Sequence, residues 1–283
     1  MNVAQQLVNG LVLGSGYACV ALGWTVLLGA ARLVNFAHGQ MYMLAAFVCW
    51  FVMIRMGVSY AVGVAASVLA LGVLGVFMQW AMLRLVIVQN LTSMMIVTLG
   101  FGYVIQGGSG LAFGGAPHNF PSGLDLAQIK IGDIWFTWQD VLILGATLLL
   151  YGSVWMLLRQ SRIGAIIRAV AEDPKLAQLF GISPAVTYIG IFVFESIMVA
   201  LAAVLVAPRT PILTSMGFDE VIITFVIVVL GGVGSVPGAL VAGLGLGMFT
   251  AFFGALVSPA YTTAAAFGVL LVVLVTRRDR LAT

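Results

Sequence analysis

Long runs without a charged residue constrain this chain more than any other feature. They cover residues 221–276, 1–31, 33–54, 56–83, 85–124, 141–158 and 176–194. About 20 apolar residues cross a bilayer as a helix, and at these lengths only helices satisfy their own backbone in lipid. Charged residues make up 7% of the chain and apolar residues 62%. The sequence therefore predicts an all-α polytopic membrane protein.

The apolar segments predict about eight transmembrane helices in a single domain covering residues 1–283. The predicted helices lie near 7–29, 36–54, 58–82, 91–112, 137–158, 185–206, 219–231, 236–256 and 260–276. The sequence GGVGSVPG (Gly231 to Gly238) interrupts the last long run, and the first segment there is short. We therefore expect a broken helix or half-helix within 219–256, with its freed backbone buried or lining a cavity.

The basic residues predict the orientation of the chain. Alternating spans place nine of the twelve on one side, namely Arg32, Arg84, Arg159, Arg162, Arg168, Lys175, Arg277, Arg278 and Arg280. The positive-inside rule makes that side cytoplasmic. The N-terminus and a loop at 113–134 then face the periplasm, and a loop at 159–183 faces the cytoplasm. We interpret the net charge of +3 as this asymmetry in a membrane protein, with no nucleic-acid partner.

The loop at 159–183 contains a predicted short helix. Asp173 is expected to cap it, Pro174 suits its first turn, and Gly181 suits the position just past its end. The surrounding sequence, from Arg159 to Gly181, carries six of the 21 charged residues of the chain.

One face of this short helix is apolar. Leu176, Leu179 and Phe180 fall at positions i, i+3 and i+4, so they share a face. Two interpretations are open: the face docks to a soluble partner, or it packs against the chain's own helix ends.

Motifs for catalysis are missing. Neither Lys130 nor Lys175 stands in a P-loop, so the chain is not expected to hydrolyse ATP itself. His38 and His118 are the only histidines, and no HExxH metal motif occurs. The sequence thus predicts no catalytic, cofactor-binding or metal-binding residues, which disfavours a polytopic membrane enzyme.

Glu195 lies halfway along a predicted span. A charged carboxylate facing lipid there would cost roughly 2.5–3.5 kcal/mol, so Glu195 is expected to face the bundle or a wet cavity. It is either a buried structural carboxylate or part of the solute path. The segment NFAHGQ clusters Asn35, His38 and Gln40 where another span begins, and it is either a helix start capped by Asn35 or part of the same path.

Three stretches carry a resemblance to a known family. They are GSGYACVALGWTVLLGAARLVNFAHGQMYMLAAF (Gly14 to Phe47), RQSRIGAIIRAVAEDPKLAQLFGI (Arg159 to Ile182) and VVLGGVGSVPGALVAG (Val228 to Gly243). In the same order they resemble the LivH-type permease of branched-chain amino-acid ABC importers. The patterns NFAHG and RAxAEDxxxAxLxGI are the specific part of the resemblance, which spans nearly the whole chain.

The resemblance implies a multi-pass permease subunit of the bacterial inner membrane. Its implied partners are a LivM-like second permease, two cytoplasmic ABC ATPases that use ATP and Mg²⁺, a periplasmic substrate-binding protein and membrane lipid. Loop 159–183 then becomes the element that couples to an ATPase. Its coupling residues are Arg168, Ala169, Glu172, Asp173, Leu176, Ala177, Leu179, Phe180 and Gly181.

The resemblance also implies a solute path and a transport mechanism. Candidate path residues are Asn35, Phe36, His38, Gly39 and Glu195, of which Glu195 departs from the family's small or apolar residue. The implied function is ATP-driven import of branched-chain amino acids, or a related small solute, by alternating access. Alternatives are a permease of this family for urea, short amides or aromatic acids, and a self-sufficient secondary carrier.

Overall fold

The computed structural model describes residues 2–85, 91–119, 122–123 and 128–276. Within them lie eleven α-helices and one hairpin: α1 Val3–Ala31, α2 His38–Trp50, α3 Tyr60–Leu85, α4 Leu91–Phe113, β1 Gln128–Ile131, β2 Ile134–Thr137, α5 Trp138–Gln160, α6 Arg162–Glu172, α7 Pro174–Leu179, α8 Pro184–Val206, α9 Met216–Gly231, α10 Val236–Leu256 and α11 Thr262–Thr276. A π-helical turn, Phe51–Arg55, extends α2. The predicted all-α membrane fold is confirmed.

Six helices of the described chain are long and apolar enough to cross a membrane: α1, α3, α4, α5, α8 and α10. The shorter apolar helices α2 and α9 pack between several of these, and α11 packs against α9 and α10. The expected count of about eight approximates this arrangement.

Helix α1 forms the centre of the bundle and packs against α10, α8, α5 and α9. Its contact with α10 depends on glycine. A Cβ on Gly14 would lie 2.8 Å from the Leu244 Cα, and one on Gly243 would lie 2.7 Å from the Ala18 Cβ. Small residues four apart let two helix backbones touch in this way. Gly10 and Gly14 of α1 therefore face Gly243 and Gly247 of α10.

The predicted break in 219–256 is present. Helix α9 has 16 residues, and the chain turns through Gly232 (φ 90°) and Gly234 (φ 79°), conformations that L side chains rarely adopt. Ser235 then caps α10 by accepting the Gly238 N–H at 3.1 Å. The freed backbone at Gly234 and Ser235 lines a cavity of about 370 Å³, as expected.

Helix α2 begins later than predicted. The expected cap was Asn35, but Ala37 occupies the cap position and makes no side-chain cap bond. The Asn35 Oδ1 instead accepts the N–H of Ala37 at 3.0 Å. The reason is that the Asn35 amide also serves a tertiary contact, described below.

The N-terminus and the loop at 113–134, both predicted to lie outside, are found at one end of the molecule. Asn2 donates to the Asp133 carbonyl (3.3 Å), which joins the N-terminus to the β1–β2 hairpin. His118 and Ile212 exchange backbone bonds of 3.0 and 2.7 Å, which joins the loop after α4 to the loop after α8. Arg277, Arg278 and Arg280 of the predicted inner tail lie outside the described residues.

Candidate functional site

Helix α7 has the local structure that its sequence predicts. The Asp173 Oδ1 accepts the N–H groups of Lys175 (2.8 Å) and Leu176 (3.0 Å). Pro174 is the first helical residue, where its missing N–H costs nothing. Gly181 follows the helix with φ 79°, the left-handed conformation that ends many helices.

The segment α6–α7 is fixed to the membrane helices. The Ser161 Oγ accepts the Gly164 N–H at 3.0 Å and so starts α6 directly after α5. The Arg168 guanidinium donates to the Leu158 carbonyl at the end of α5. Val170 and Ala177 are buried and hold the two short helices against the rest. Among the predicted coupling residues, Ala177 therefore faces the protein interior.

The opposite face of α7 is exposed and apolar. The exposed fractions are 51% for Leu176, 83% for Leu179 and 78% for Phe180. These side chains lie in the loop between α5 and α8 and not on a spanning helix, so lipid tails do not explain their exposure. Among the residues that the structure describes, Leu179 and Phe180 do not pack against the helix ends.

Arg168, Glu172 and Asp173 are exposed beside this face, and Ala169 is half-buried. An apolar centre with a charged border is the composition of a protein docking surface. We call Leu176, Leu179 and Phe180, with this border, the α7 surface.

A second group of predicted residues meets in the core. The Asn35 Nδ2 donates to Glu195, 3.0 Å from Oε1 and 3.1 Å from Oε2. The His38 Nδ1 lies 2.8 Å from the Glu195 Oε1, and its Nε2 lies 3.2 Å from the Val20 carbonyl. Asn35, His38 and Glu195 are all fully buried. We call these three side chains the buried polar cluster.

The buried polar cluster joins three helices. Glu195 belongs to α8, His38 starts α2, and Val20 lies in α1. The indole of Trp24 stacks on the His38 ring, with centroids 5.5 Å apart. The cluster thus fixes the start of α2 between α1 and α8.

The other residues of NFAHG have packing roles. The Phe36 N–H donates to the Thr98 Oγ1 of α4 at 3.1 Å. Gly39 lies against α9, and a Cβ there would collide with the Gly217 carbonyl. The segment is thus tied to α4, α8 and α9, which explains why a short irregular stretch can stay buried.

Glu195 and NFAHG were predicted as candidates for one solute path, but their direct contact was not predicted. Asn35 and Glu195 are 160 positions apart, and no periodicity relates them. The only available signal was the cost of a lone mid-span carboxylate, which requires a polar partner. The ion pair between Arg209 and Asp140, whose Nη1 and Oδ1 atoms are 2.7 Å apart, was not predicted from the sequence.

Comparisons with known proteins agree with the motif-based resemblance. Residues 6–275 match the family described as "Branched-chain amino acid transport system / permease component". The high-affinity branched-chain amino acid transport system permease protein BraD of Pseudomonas aeruginosa is 30% identical, covering 96% of this chain and 93% of the relative. Its counterpart LivH of Escherichia coli K12 is 32% identical, covering 95% of this chain and 92% of the relative.

A solved structure shares the fold. A chain of "PsaBC from Streptococcus pneumoniae in complex with Fab" superposes with a TM-score of 0.54. The match covers 96% of this chain and 90% of that chain at 13% identity. At this identity the similarity concerns the fold alone.

Proposed function

Because this chain belongs to the permease family of branched-chain amino-acid transport systems, we propose that it is the membrane-spanning subunit of an ATP-driven importer. It carries branched-chain amino acids, or a related small solute, across the bacterial inner membrane. Urea, short amides and aromatic acids are the alternative substrates within the family. The observation that supports an importer subunit over a self-sufficient carrier is the α7 surface.

The α7 surface is the proposed contact with a cytoplasmic ATPase. Burying Leu179 and Phe180 in a partner would stabilise the contact by roughly 1.5–3 kcal/mol each. The charges of Arg168 and Glu172 stand at the edge, where they favour orientation more than affinity. A carrier that works alone has no use for such a surface on its cytoplasmic side.

The complete transporter then contains several further subunits. We propose a second permease of the LivM type, two ABC ATPases that bind ATP and Mg²⁺, and a periplasmic protein that delivers the solute. This chain supplies no ATPase site and acts as a transport subunit without enzymatic activity of its own. Solute selection belongs largely to the binding protein.

The bundle offers a route for coupling. Helix α7 contacts α6, and α6 contacts α5, α1 and α8. When the ATPases close on ATP, movement of α7 would pass through α6 into the two central helices as a rigid-body displacement. The cavity of about 370 Å³ between α1, α5, α6 and the α9–α10 break leaves room for that displacement. Alternating access follows if this rigid-body displacement opens the path between the two permeases.

We propose that the buried polar cluster holds α2 in place. Its members bond to one another and are fully buried, which supports an anchoring role in this conformation. Asn35, Phe36, His38, Gly39 and Glu195 stay candidates for the solute path in the conformation that opens. Variants of Glu195 separate the two roles, as described in the Discussion.

The decisive test places a charge on the α7 surface. Leu179→Asp and Phe180→Asp should abolish co-purification of the ATPases, because a carboxylate stranded against an apolar surface costs several kcal/mol. The permease itself should still insert, since α7 lies outside the spans. Pull-down of the ATPases, together with solute uptake and ATP turnover in proteoliposomes, measures both effects.

Gln178→Asp is the matched control, because Gln178 is exposed on the same helix but lies opposite the apolar face. It should retain the ATPases. Full ATPase retention and normal uptake by both Leu179→Asp and Phe180→Asp would show that the α7 surface does not couple to the ATPases.

A further inference from the structure

A small enclosed cavity lies at the outer end of the bundle, apart from the buried polar cluster. It has a volume of about 170 Å³ and is bounded by α1, α5, α8 and α9. Aliphatic side chains form most of its wall, including Val12, Val20, Ile143 and Ile223. Tyr17, Arg209 and Glu220 supply its polar groups.

Glu220 is the unusual group in this wall. It lies in the second turn of α9, and among the described residues its carboxylate makes neither a hydrogen bond nor an ion pair. The phenol of Tyr17 lies in the same cavity wall. Glu220 is half-buried, and a carboxylate withdrawn from water is costly unless it is paired. A cationic group entering the cavity would supply the missing partner.

Arg209 gives the same cavity a positive group. One of its nitrogens, Nη1, lies 2.7 Å from the Asp140 Oδ1. A guanidinium has five N–H donors, so this bond leaves others for a second carboxylate. The Asp140 pair fixes the guanidinium in place, which lowers the entropic cost of using the remaining donors.

We propose that this cavity is a transient binding site for the transported amino acid. Glu220 pairs with the ammonium group, Arg209 with the carboxylate, and the Val and Ile side chains contact a branched aliphatic side chain. The inference rests on the proposed function and adds to it a specific substrate site in this chain. Its location at the outer end suits solute released by a periplasmic protein.

The test uses the complete transporter in proteoliposomes, with L-[³H]leucine as the probe. Glu220→Gln should lower leucine uptake at least about tenfold, the effect of losing one charge-assisted bond. ATP turnover stimulated by the loaded binding protein should persist, because the α7 surface is untouched. Asp219→Asn is the control: it removes the same charge one position earlier, at an exposed side chain outside the cavity wall, and should transport normally.

A second measurement needs no variant and so does not depend on folding of Glu220→Gln. L-leucine, added without the binding protein, should raise the thermal unfolding temperature of the purified permease–ATPase complex. 4-Methylpentanoate, which is leucine without its amino group, should not. Equal shifts with both compounds, or no shift with leucine, would overturn the site.

The outcomes separate this site from the proposed function. If the wild-type transporter takes up leucine and Glu220→Gln does so at the same rate as Asp219→Asn, only the site is wrong. If the wild-type transporter takes up no leucine when the loaded binding protein is present, the proposed substrate fails, and this site fails with it.

Discussion

The hydrogen-bond partners of His38 and Glu195 limit where the protons of this pair can lie. The His38 Nε2 faces the Val20 carbonyl, which only accepts, so this nitrogen carries a proton. The Nδ1 then meets Glu195 either as a donor to a carboxylate or as an acceptor from a protonated carboxyl. In both cases the pair has no net charge, so its complete burial costs less free energy than burial of a single unpaired charge.

Glutamine at position 195 should preserve these bonds. Its amide oxygen can accept from Asn35, and its NH₂ can donate to the Nδ1 of neutral His38. Glu195→Gln should therefore assemble normally, whereas Glu195→Ala removes the carboxylate that the buried Asn35 Nδ2 and His38 Nδ1 contact. We expect Glu195→Ala to lower the free energy of unfolding by about 3 kcal/mol or more, seen as a lower thermal unfolding temperature in detergent.

Uptake by Glu195→Gln distinguishes anchoring from contact with the solute. An anchoring role predicts normal uptake and normal complex yield. Normal yield with altered solute preference would place Glu195 on the path. Loss of the complex with Glu195→Gln would contradict the equivalence of the two side chains. Asp133→Ala, at an exposed position far from the α7 surface, is the stability control.

At the scale of the element, the contact between α1 and α10 depends on glycine on one face of α10 only. A Cβ on Gly243 would meet Ala18 of α1 at 2.7 Å, whereas one on Gly245 would have no atom within 4 Å. Both positions are glycines on α10, two residues apart. They differ only in the direction that they face.

Gly243→Val should therefore separate the central helices, while Gly245→Val should be tolerated. Overpacking of this kind typically costs 1–3 kcal/mol, or more when backbone is the obstacle. The measurement is the fraction of each variant that elutes as a folded monodisperse species, together with its thermal unfolding temperature. Equal behaviour of the two variants would show that α1 and α10 do not approach this closely in the membrane.

At the scale of the whole molecule, the orientation in the bilayer follows from the basic residues and from the clustering of loops at one end. Asp133 lies in the hairpin turn beside the N-terminus, and Lys175 lies on α7. The two positions should be on opposite sides of the membrane.

Cysteine labelling tests this orientation. In a background with Cys19 and Cys49 replaced by alanine, Asp133→Cys should react with an impermeant maleimide in intact spheroplasts. Lys175→Cys should react only in inside-out vesicles. Both residues are exposed, so access to reagent is comparable. Labelling in the opposite pattern would show that the predicted orientation is wrong. The α7 surface would then lie on the side of the membrane that no cytoplasmic ATPase can reach.

The sequence by itself determined the membrane class, the helical fold and the local structure of α7. Uncharged length decides the first two, because lipid offers the backbone no alternative partner. The cap of α7 follows from Asp173, Pro174 and Gly181, whose effects act within one helical turn. The predicted break near Gly231–Gly238 was equally local.

Tertiary structure alone decided which distant residues meet. The bonds from Asn35 and His38 to Glu195, and the shared cavity wall of Arg209 and Glu220, join segments whose spacing obeys no helical period. In a uniformly apolar chain, helix packing is set by the fit of small residues and by a few buried polar contacts. Hydrophobic patterning barely distinguishes one helix face from another there. The pairing of faces therefore becomes visible only when the helices are placed together.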